Sequence, residues 1–364
     1  MCAGITRQQL VYFMKLCYLA SSYSSHARVA ASYRTILAAI VEMVERPERA
    51  DVVIIHDEPH LYSQYFARYP FLRQRYVVAY AVWEASILPS EYIKGISLVQ
   101  EVWTCSHYCH DIFSRYHPHV EVVPHIAEGD DVYSADDAAH IDRLLQRSPK
   151  HVYFLTIGRL WDRRKNILGV IRSFGSMRSK NPNARLIVKT LPDDDYDLLR
   201  AEDERLIVIT ETLTERQMNA LYAATDVFVS AHRSEGWGLC ISDALVRGCL
   251  VVATDYAGPR EYLFENNSIL LPYKVVNVAS TETYGLFDPS MQWAEPDLER
   301  LAEVFNETGA APQSKEYMDK RAVARAVREK FSTACVEEIL SSRAASLAAK
   351  VSWSHRIRRY MLNY

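Results

Sequence analysis

Short apolar runs recur along this chain, and the polar stretches between most of them carry apolar residues at helical spacing. In the first half, the runs at residues 51–55, 76–82, 101–105 and 120–123 predict buried strands. The second half restarts the alternation, with predicted strands at residues 152–157, 185–189, 206–210, 226–231 and 250–253. Strands that alternate with helices at this spacing predict an α/β fold with parallel sheets.

The first 50 residues predict two helices and no strand. The apolar positions of the first helical stripe are Ile5, Leu10, Val11, Met14 and Leu19. A second stripe runs from Tyr33 to Val44 and ends near Pro47. The first strand of the sheet is therefore predicted to begin at about residue 51.

A polar and acidic segment, residues 127–150, marks the predicted boundary between two domains. A chain of 364 residues is long enough for two domains of ordinary size. We predict an N-terminal domain over residues 1–128, a linker over 129–150 and a C-terminal domain over 151–345. After Tyr262 the pattern is irregular to about Glu295, and helices then continue to the end.

Composition narrows the class of protein. The chain is 49% apolar and 24% charged, as in soluble globular proteins, and its net charge of −3 gives no field for binding nucleic acid. Its seven cysteines lack the spacing of a disulfide framework, which favours a reducing cytoplasm. No apolar run approaches the roughly 20 residues of a membrane span, and the polar residues of the first segment argue against a signal peptide.

A glycine-rich turn follows the predicted strand at 226–231. Gly236 and Gly238 flank Trp237, so the backbone there can adopt conformations closed to other residues and approach a ligand closely. A helix predicted from about Ser242 would direct its N-terminal N–H groups at an anion such as a phosphate.

Two acidic residues border this turn. Glu235 precedes it, and Asp243 falls in the first turn of the predicted helix. One could bind a sugar and the other a ribose, because a carboxylate can accept hydrogen bonds from both hydroxyls of a vicinal diol. For Asp243, ordinary complementation of the helix dipole is an equal alternative.

A basic loop follows the predicted strand at 152–157. Arg159 comes directly after Gly158, and Lys165 lies near the start of the next helix. An arginine fork and a lysine point charge together suit a diphosphate. Because Arg163 and Arg164 lie beside them, this segment taken alone favours a solvated basic loop. The glycine-rich turn in the same domain adds support for a diphosphate site.

Three further motifs favour structural roles. Cys105, His107, Cys109 and His110 are spaced too tightly for a typical zinc site, and a strand-to-helix turn with buried cysteines is expected. Asp193–Asp195 contains D-x-D, which can hold a divalent metal on a diphosphate, but an acidic solvated loop is favoured. The basic and apolar tail 353–364 could lie on a membrane surface, but docking on the protein itself is favoured.

Taken together, these segments resemble the family 4 retaining glycosyltransferases of the GT-B fold, over most of the chain after about residue 50. EGWGLCISDA is similar to the family's EGFGL…EA segment, and GRLWDRRKN to its GR…K donor-diphosphate segment. LTERQMNALYAATDVFVSA, AGPRE, YAVWEASILPSEY, VWTCSHYCHDIF, VVPHI and SWSHRI resemble further segments. Asp243 stands where the family usually has a second Glu, and only Ala3-Gly4-Ile5 could be a remnant of the usual first strand.

The resemblance implies two Rossmann-like domains facing a cleft, with a C-terminal helix, residues 346–364, crossing back to the N-terminal domain. It implies a retaining, metal-independent transfer of a hexose from a GDP- or UDP-sugar to a glycan or lipid-linked acceptor, as in polysaccharide biosynthesis. The catalytic residues implied are Glu235, Arg159 and Lys165. The donor-binding residues implied are Gly158, Leu213, Gly236, Trp237, Gly238, Leu239, Cys240 and Asp243.

Acceptor binding is expected on the N-terminal domain, with His56, Tyr80 and Glu84 as candidates. The expected setting is the cytoplasm, with a peripheral contact at the inner face of a membrane where the acceptor is lipid-linked. Two alternatives stay open. One is a non-catalytic scaffold that binds sugar nucleotides, and the other is a sugar-nucleotide hydrolase or epimerase on the same fold.

Overall fold

The computed structural model describes residues 14–129, 131–177, 181–192 and 203–361. The described chain divides into two compact units. The first comprises residues 14–83, 87–126 and 331–361, and the second comprises residues 84–86 and 127–330. The chain therefore returns to the first unit at Phe331, whereas the sequence suggested residue 346.

The first unit contains a six-stranded parallel sheet. Its strands are β1 (Lys15–Ala20), β2 (Glu42–Met43), β3 (Val52–His56), β4 (Tyr76–Tyr80), β5 (Glu101–Thr104) and β6 (Val120–Val122). They lie in the order β2-β1-β3-β4-β5-β6. Every residue of β3 is buried, as expected for a central strand covered on both faces. The four strands predicted after residue 50 are present, within one or two residues of the expected bounds.

The strand β1 corrects the prediction that the first strand is absent. It pairs with β3 from Leu16 opposite Val52 to Ala20 opposite His56. The apolar stripe that includes Met14 and Leu19 was interpreted as helical because a short apolar run fits both periods. Burial beside β3 selects the strand. The earlier positions of that stripe, and Ala3-Gly4-Ile5, lie outside the described residues.

Among its described residues, this unit has the helices Ser24–Ala38, Tyr62–Arg68, Ser90–Ile96, His107–Phe113 and Thr333–Met361. The helix predicted to end near Pro47 ends at Ala38, and β2 follows it. The last helix contacts Ser24–Ala38. Short 3-10 turns precede β3 and β4 and lie at Pro59–Leu61.

The second unit contains another six-stranded parallel sheet. Its strands are β7 (Val152–Ile157), β8 (Ala184–Lys189), β9 (Leu206–Ile209), β10 (Val227–Ser230), β11 (Leu250–Thr254) and β12 (Ile269–Leu271). They lie in the order β12-β11-β10-β7-β8-β9. Its helices are Ala135–Leu145, Ile167–Gly175, Glu215–Ala223, Leu239–Val246, Leu298–Ala310, Lys315–Arg325 and Val327–Lys330. The capping box expected from Thr214 and Gln217 is present.

Two segments of this unit are more regular than the sequence suggested. The polar segment 127–150 contains the helix Ala135–Leu145, which begins with a capping box between Ser134 and Asp137. The irregular segment after Tyr262 contains β12 and an antiparallel pair, β13 (Tyr273–Asn277) and β14 (Gln292–Pro296). The helix was missed because it has few apolar residues, and the strands were missed because they are short, so the sequence carries little periodicity there.

Aromatic side chains fill the core on one face of the second sheet. The Phe154 ring lies 5.0 Å from the Phe305 ring, which lies 5.3 Å from Phe174. This packing joins β7 to the helices Ile167–Gly175 and Leu298–Ala310, and so fixes the loop that leaves β7. Within the described ranges, no helix combines the length and the apolarity that crossing a membrane requires.

Candidate functional site

The glycine-rich turn connects β10 to the helix Leu239–Val246. Gly238 has a φ of 84°, in the left-handed region that glycine tolerates best. A Cβ placed there would lie 2.9 Å from Ile241 Cδ1 and 3.1 Å from the Tyr262 hydroxyl. That hydroxyl donates to the carbonyl of Trp237 at 2.6 Å and lies 3.0 Å from the Gly238 carbonyl. Tyr262 thus stabilises the turn through its hydroxyl group.

A second backbone segment closes over the same turn. Gly258 donates its N–H to the Glu235 carbonyl at 2.8 Å. A Cβ on Gly258 would come within 1.9 Å of the Gly236 carbonyl oxygen, so no other residue fits without displacing the turn. Because Gly258 and Tyr262 both contact residues 235–238, the conformation of the turn is determined on both sides before any ligand binds.

The helix after the turn begins at Leu239, three residues earlier than predicted. Leu239 and Cys240 therefore lie in its first turn, where N–H groups project from the positive end of the helix dipole. The Trp237 indole is 2% exposed and donates to Ser242 Oγ at 3.1 Å. Trp237 is a core side chain, so any contact with a donor would involve its backbone only.

Asp243 lies in the second turn of this helix, which corrects its predicted place in the first. Its carboxylate is buried and lies 3.2 Å from Arg247 Nη1. Arg247 also donates to Asn219 Oδ1 at 2.8 Å and covers the Tyr222 ring. Asp243 is therefore part of an ion pair on its own helix, and the ribose contact stays a prediction.

Glu235 is the centre of an ionic cluster. It is 5% exposed, and its two carboxylate oxygens have different partners. Lys165 donates through Nζ to Oε1, and Arg164 Nη1 lies 3.0 Å from Oε2. The structure thus brings together two of the three predicted catalytic residues, from the loop after β7 and the turn after β10.

Arg164 was expected to be solvated, but its side chain is only 11% exposed. It donates to the Ser234 carbonyl at 2.9 Å and to Asp162 Oδ2 at 3.2 Å, and it lies 3.6 Å from Glu84 Oε1. Its neighbour Arg163 is exposed, as expected for a solvated basic loop. Two arginines side by side carry no sequence signal that separates the buried one from the solvated one.

The charges in this cluster reinforce one another. Burial alone would raise the pKa of Glu235, but the positive charges of Lys165 and Arg164 outweigh burial and hold the pKa at about 2. Burial would lower the pKa of Lys165, but the Glu235 carboxylate raises it above its usual range. At neutral pH the carboxylate is therefore ionised and accepts hydrogen bonds only. It cannot donate a proton there.

Glu84 also belongs to the second unit, although it was predicted on the acceptor side. Burial raises the pKa of its carboxyl, and the nearby Arg164 partly offsets this effect. The structure places Glu84 against the ionic cluster through Arg164.

Arg159 and Gly158 begin the loop that carries Lys165. The Arg159 guanidinium lies 5.5 Å from the centre of the Trp161 ring, and the Gly158 N–H is donated to the Lys189 carbonyl at 3.1 Å. The part that Arg159 plays in the site stays a prediction. Leu213, half-buried just before the Thr214 cap, likewise has no contact that tests its role.

His56 and Tyr80 are buried in the first unit and are not available to an acceptor. His56 is 2% exposed, its Nδ1 lies 3.0 Å from the Tyr18 hydroxyl, and Tyr80 donates to the Val123 carbonyl at 2.9 Å. Burial, together with the nearby His26, His125 and Arg34, lowers the pKa of His56 to about 2. Both candidates are corrected: as the last residues of β3 and β4, they point into the core.

Further polar groups lie beyond the same strand ends; Ser21, His26 and Glu58 are partly exposed, and Asp57 is buried. His26 Nδ1 lies 2.9 Å from Ser21 Oγ, and His26 Nε2 lies 3.6 Å from Glu58 Oε1. Asp57 accepts from the Tyr65 hydroxyl at 2.8 Å. Asp57 and Glu58 could be placed at a strand end from the sequence, but nothing marked His26, because it follows β1, the strand that was missed.

The cysteine and histidine motif forms the expected strand-to-helix turn. Ser106 caps the helix His107–Phe113, and Cys105 and Cys109 are buried. Within the described ranges, no group of three His, Cys, Asp or Glu side chains could hold a metal ion. Asp193–Asp195 lies outside the described residues, as do the side chains of the tail beyond Val351.

The family comparison falls on the unit that carries this cluster. Residues 151–281 match the model of the family described as glycosyl transferases group 1. This segment contains the loop after β7, the glycine turn and both cations that contact Glu235, namely Arg164 and Lys165. Glu84, which lies near Arg164, is outside it. Residues 151–281 thus form a glycosyltransferase domain of this group. No curated protein sequence matches the chain.

Solved structures support the fold of this glycosyltransferase over nearly its whole length. A glycosyltransferase from Rickettsia africae superposes with a TM-score of 0.68 at 11% identity, over 92% of this chain and 98% of that one. Sucrose-phosphate synthase from Thermosynechococcus elongatus gives 0.68 at 14%, over 93% and 100%. HepE from Anabaena, in complex with UDP, gives 0.65 at 16%, over 92% and 100%.

These neighbours have the GT-B fold, and the two parallel six-stranded sheets of this chain match it. The resemblance to glycosyltransferases that the sequence suggested is thus confirmed. Membership of family 4 in particular stays a prediction. At these identities the structural likeness concerns the fold alone, so the donor and the acceptor must be argued from the site.

Proposed function

We propose that this glycosyltransferase moves a hexose from a nucleoside diphosphate sugar to a glycan or lipid-linked acceptor, with retention at the anomeric carbon and without a metal ion. The observation that carries the proposal is the contact of Lys165 and Arg164 with Glu235 beside the glycine turn. It places two cations next to the N-terminus of a helix. Such a site suits a diphosphate.

In this proposal, positive charge stabilises the leaving group. Arg159, Lys165 and the N–H groups of Gly238–Cys240 bind the diphosphate while the bond to the sugar breaks. Preorganised charges aimed at a developing anion are a large source of rate acceleration, and here they take the place of a divalent ion. Glu235 accepts hydrogen bonds from hydroxyls of the transferred sugar and orients it.

The ionised state of Glu235 supports this division of roles. Both of its oxygens face cations, and its pKa of about 2 makes it a poor base at neutral pH. A carboxylate of this kind orients a substrate well but does not remove a proton from an acceptor hydroxyl efficiently. We therefore propose attack by the acceptor on the face of the leaving group, which preserves the anomeric configuration.

UDP-hexoses are the first donors to test, since the similar fold of HepE has been solved with UDP and with UDP-glucose. GDP-hexoses are the second, because the residues described here recognise the diphosphate and not the base. We propose a cytoplasmic setting, with peripheral contact at the inner face of a membrane when the acceptor is lipid-linked.

The direct test is steady-state transfer by Arg159→Ala, Lys165→Ala and Glu235→Ala, with Arg163→Ala as the matched exposed control. Loss of one preorganised charge stabiliser should lower kcat by on the order of 10²–10³. Near-wild-type turnover in all three site variants would refute the proposed site.

Metal independence and stereochemistry have separate tests. Chelation with EDTA should leave transfer unchanged, and strong inhibition would bring Asp193–Asp195 back into consideration as a metal site. NMR of the first product should show the donor's anomeric configuration, and the opposite configuration would refute retention. Product analysis without acceptor would detect a hydrolase or epimerase.

A further inference from the structure

Arg164 and Lys165 are neighbours in sequence but are held very differently. Arg164 is bonded to the Ser234 carbonyl at 2.9 Å and to Asp162 Oδ2 at 3.2 Å. Its own N–H is donated to Asp162 Oδ1 at 3.1 Å, and its carbonyl accepts the Arg233 N–H at 2.7 Å. The position of Arg164 is therefore fixed by side-chain and backbone bonds together.

Asp162 is in turn fixed from another segment of the same unit. The Tyr284 hydroxyl donates to Asp162 Oδ1 at 2.5 Å. Lys165, in contrast, has a side chain that is 24% exposed, and its ammonium contacts Glu235 at the end of a flexible stem. Of the two cations that contact Glu235, Arg164 is anchored and Lys165 is able to move.

This difference matters because Lys165 has two tasks in the proposed function. In the structure its ammonium is bonded to Glu235, whereas during transfer it binds the diphosphate. If Lys165 were the only counter-charge, its departure would leave a carboxylate that is 5% exposed without a partner. A buried charge that loses its partner is strongly destabilised.

We propose that Arg164 is a positioning residue that keeps Glu235 ionised and in place, so that Lys165 can move from Glu235 to the diphosphate of the donor. The inference rests on the proposed function, and it assigns to Arg164 a role that its exposed neighbour Arg163 cannot share. Arg164 itself need not contact the donor.

A test of this proposal must separate the effect of Arg164 on Glu235 from the effects of the other titratable groups around it. Lys165 and Arg164 face it from the loop after β7, and His232 faces it from the end of β10. His232 is buried between Ser230 Oγ and the Tyr256 carbonyl, and burial lowers its pKa. At neutral pH it is uncharged, so Arg164 and Lys165 are the cations on which ionisation of Glu235 depends.

The experiment compares Arg164→Gln, Arg164→Lys and the control Arg163→Gln in pH profiles of kcat. The Gln variant should lower kcat at least tenfold at neutral pH and move the acid limb of the profile to higher pH. Arg164→Lys should keep the wild-type acid limb, because the charge is retained, but lower kcat several-fold, because lysine lacks the fork. Arg163→Gln should match the wild type.

If Arg164 had only a structural role, Arg164→Gln would yield less folded protein, but the acid limb of its pH profile of kcat would stay in place. That result would overturn the inference. If Arg164→Gln does not fold, Arg164→Lys decides: wild-type kcat in that variant would overturn it, and reduced kcat with the wild-type acid limb would support it.

Binding of a nucleoside diphosphate to Lys165→Ala separates this inference from the proposed function. If UDP and GDP bind Lys165→Ala as tightly as the wild type, the proposed function itself fails. If binding depends on Lys165 while Arg164→Gln keeps the wild-type profile and rate, only the role of Arg164 fails.

Discussion

At the carboxyl end of the first sheet the buried side chains of His56 and Tyr80 are neutral, whereas at the same end of the second sheet the buried side chain of Glu235 is ionised. In the first unit, His56 bonds to Tyr18 and Tyr80 bonds to a backbone carbonyl. In the second, Glu235 is paired with Lys165 and Arg164. His56 and Tyr80 each have a hydrogen-bond partner within their own unit, whereas the cluster around Glu235 concentrates opposite charges that a charged ligand could rearrange.

The contrast shows that position at a strand end does not by itself make a functional residue. Burial lowers the pKa of His56 to about 2 and, with Arg28 and His26, lowers that of His125 to about 3. These imidazoles stay neutral in the folded state and stabilise the core. The cluster around Glu235 keeps its charges because each is matched by an opposite charge at short range.

The largest effect should come from replacing the charged Lys165 at the second sheet, compared with replacing the neutral His56 at the first. Lys165→Met should lower kcat by on the order of 10²–10³, because a charge aimed at the leaving group is lost. His56→Gln should change kcat only a few-fold, because His56 is a core group. The measurement is steady-state kcat for sugar transfer by both variants, after each variant has been shown to be folded. Equal losses would remove the distinction between the two ends.

The next effect concerns the backbone that supports the charged end. Gly258→Ala should destabilise the second unit by about 3 kcal/mol, because the new Cβ would lie 1.9 Å from the Gly236 carbonyl oxygen. Gly175→Ala is the control, since nothing lies within 4 Å of a Cβ there. Thermal unfolding checks the pair. A melting temperature in Gly258→Ala equal to that of the control would show that the turn is not closely packed.

The buried, neutral His56 at the end of the first sheet should make the free energy of unfolding depend on pH. His56 has its usual pKa of 6.5 when unfolded and a pKa of about 2 when folded, so the unfolded state binds more protons below pH 6.5. Stability is therefore complete above that pH and falls as the pH decreases. Between pH 7 and pH 5, His56 should contribute a loss of about 2 kcal/mol. Denaturant unfolding of His56→Gln should show a correspondingly smaller loss, and an identical slope would contradict the assignment.

The smallest effect should follow from Tyr262→Phe. This change removes the hydroxyl that donates to the Trp237 carbonyl at 2.6 Å and leaves the ring in place. One lost hydrogen bond should cost about 1 kcal/mol of stability. We expect a kcat only a few-fold lower, because Gly258 still holds the turn. A loss as large as that of Lys165→Met would mean that the turn, and not the charge, dominates catalysis.

The sequence predicted the α/β fold and the strands after residue 50, because buried parallel strands are continuous apolar runs. It missed β1, whose short run also fits a helical stripe, and the pair β13–β14, whose short strands give little pattern. Glu235 and Lys165 could be predicted from their motifs. Arg164 could not, because only the fold shows which of two adjacent arginines is buried against Ser234 and Asp162.

The acceptor-side candidates also show what the sequence alone could not predict. His56 and Tyr80 were chosen because they end strands, but alternation along a strand decides whether an end residue faces the core. Beyond those ends, Ser21, His26 and Glu58 are partly exposed, and Asp57 is buried beside them. His26 could not have been selected without β1, because its place beside Asp57 depends on the pairing of β1 with β3.

The most direct test of the central claim is calorimetric binding of UDP, GDP and the corresponding nucleosides to the wild type and to Lys165→Ala. The account predicts that one nucleoside diphosphate binds the wild type and binds Lys165→Ala at least tenfold more weakly, while its nucleoside binds both proteins equally. Equal affinity of the diphosphate for both proteins would contradict the claim that the cationic cluster beside the glycine turn holds the diphosphate of the donor.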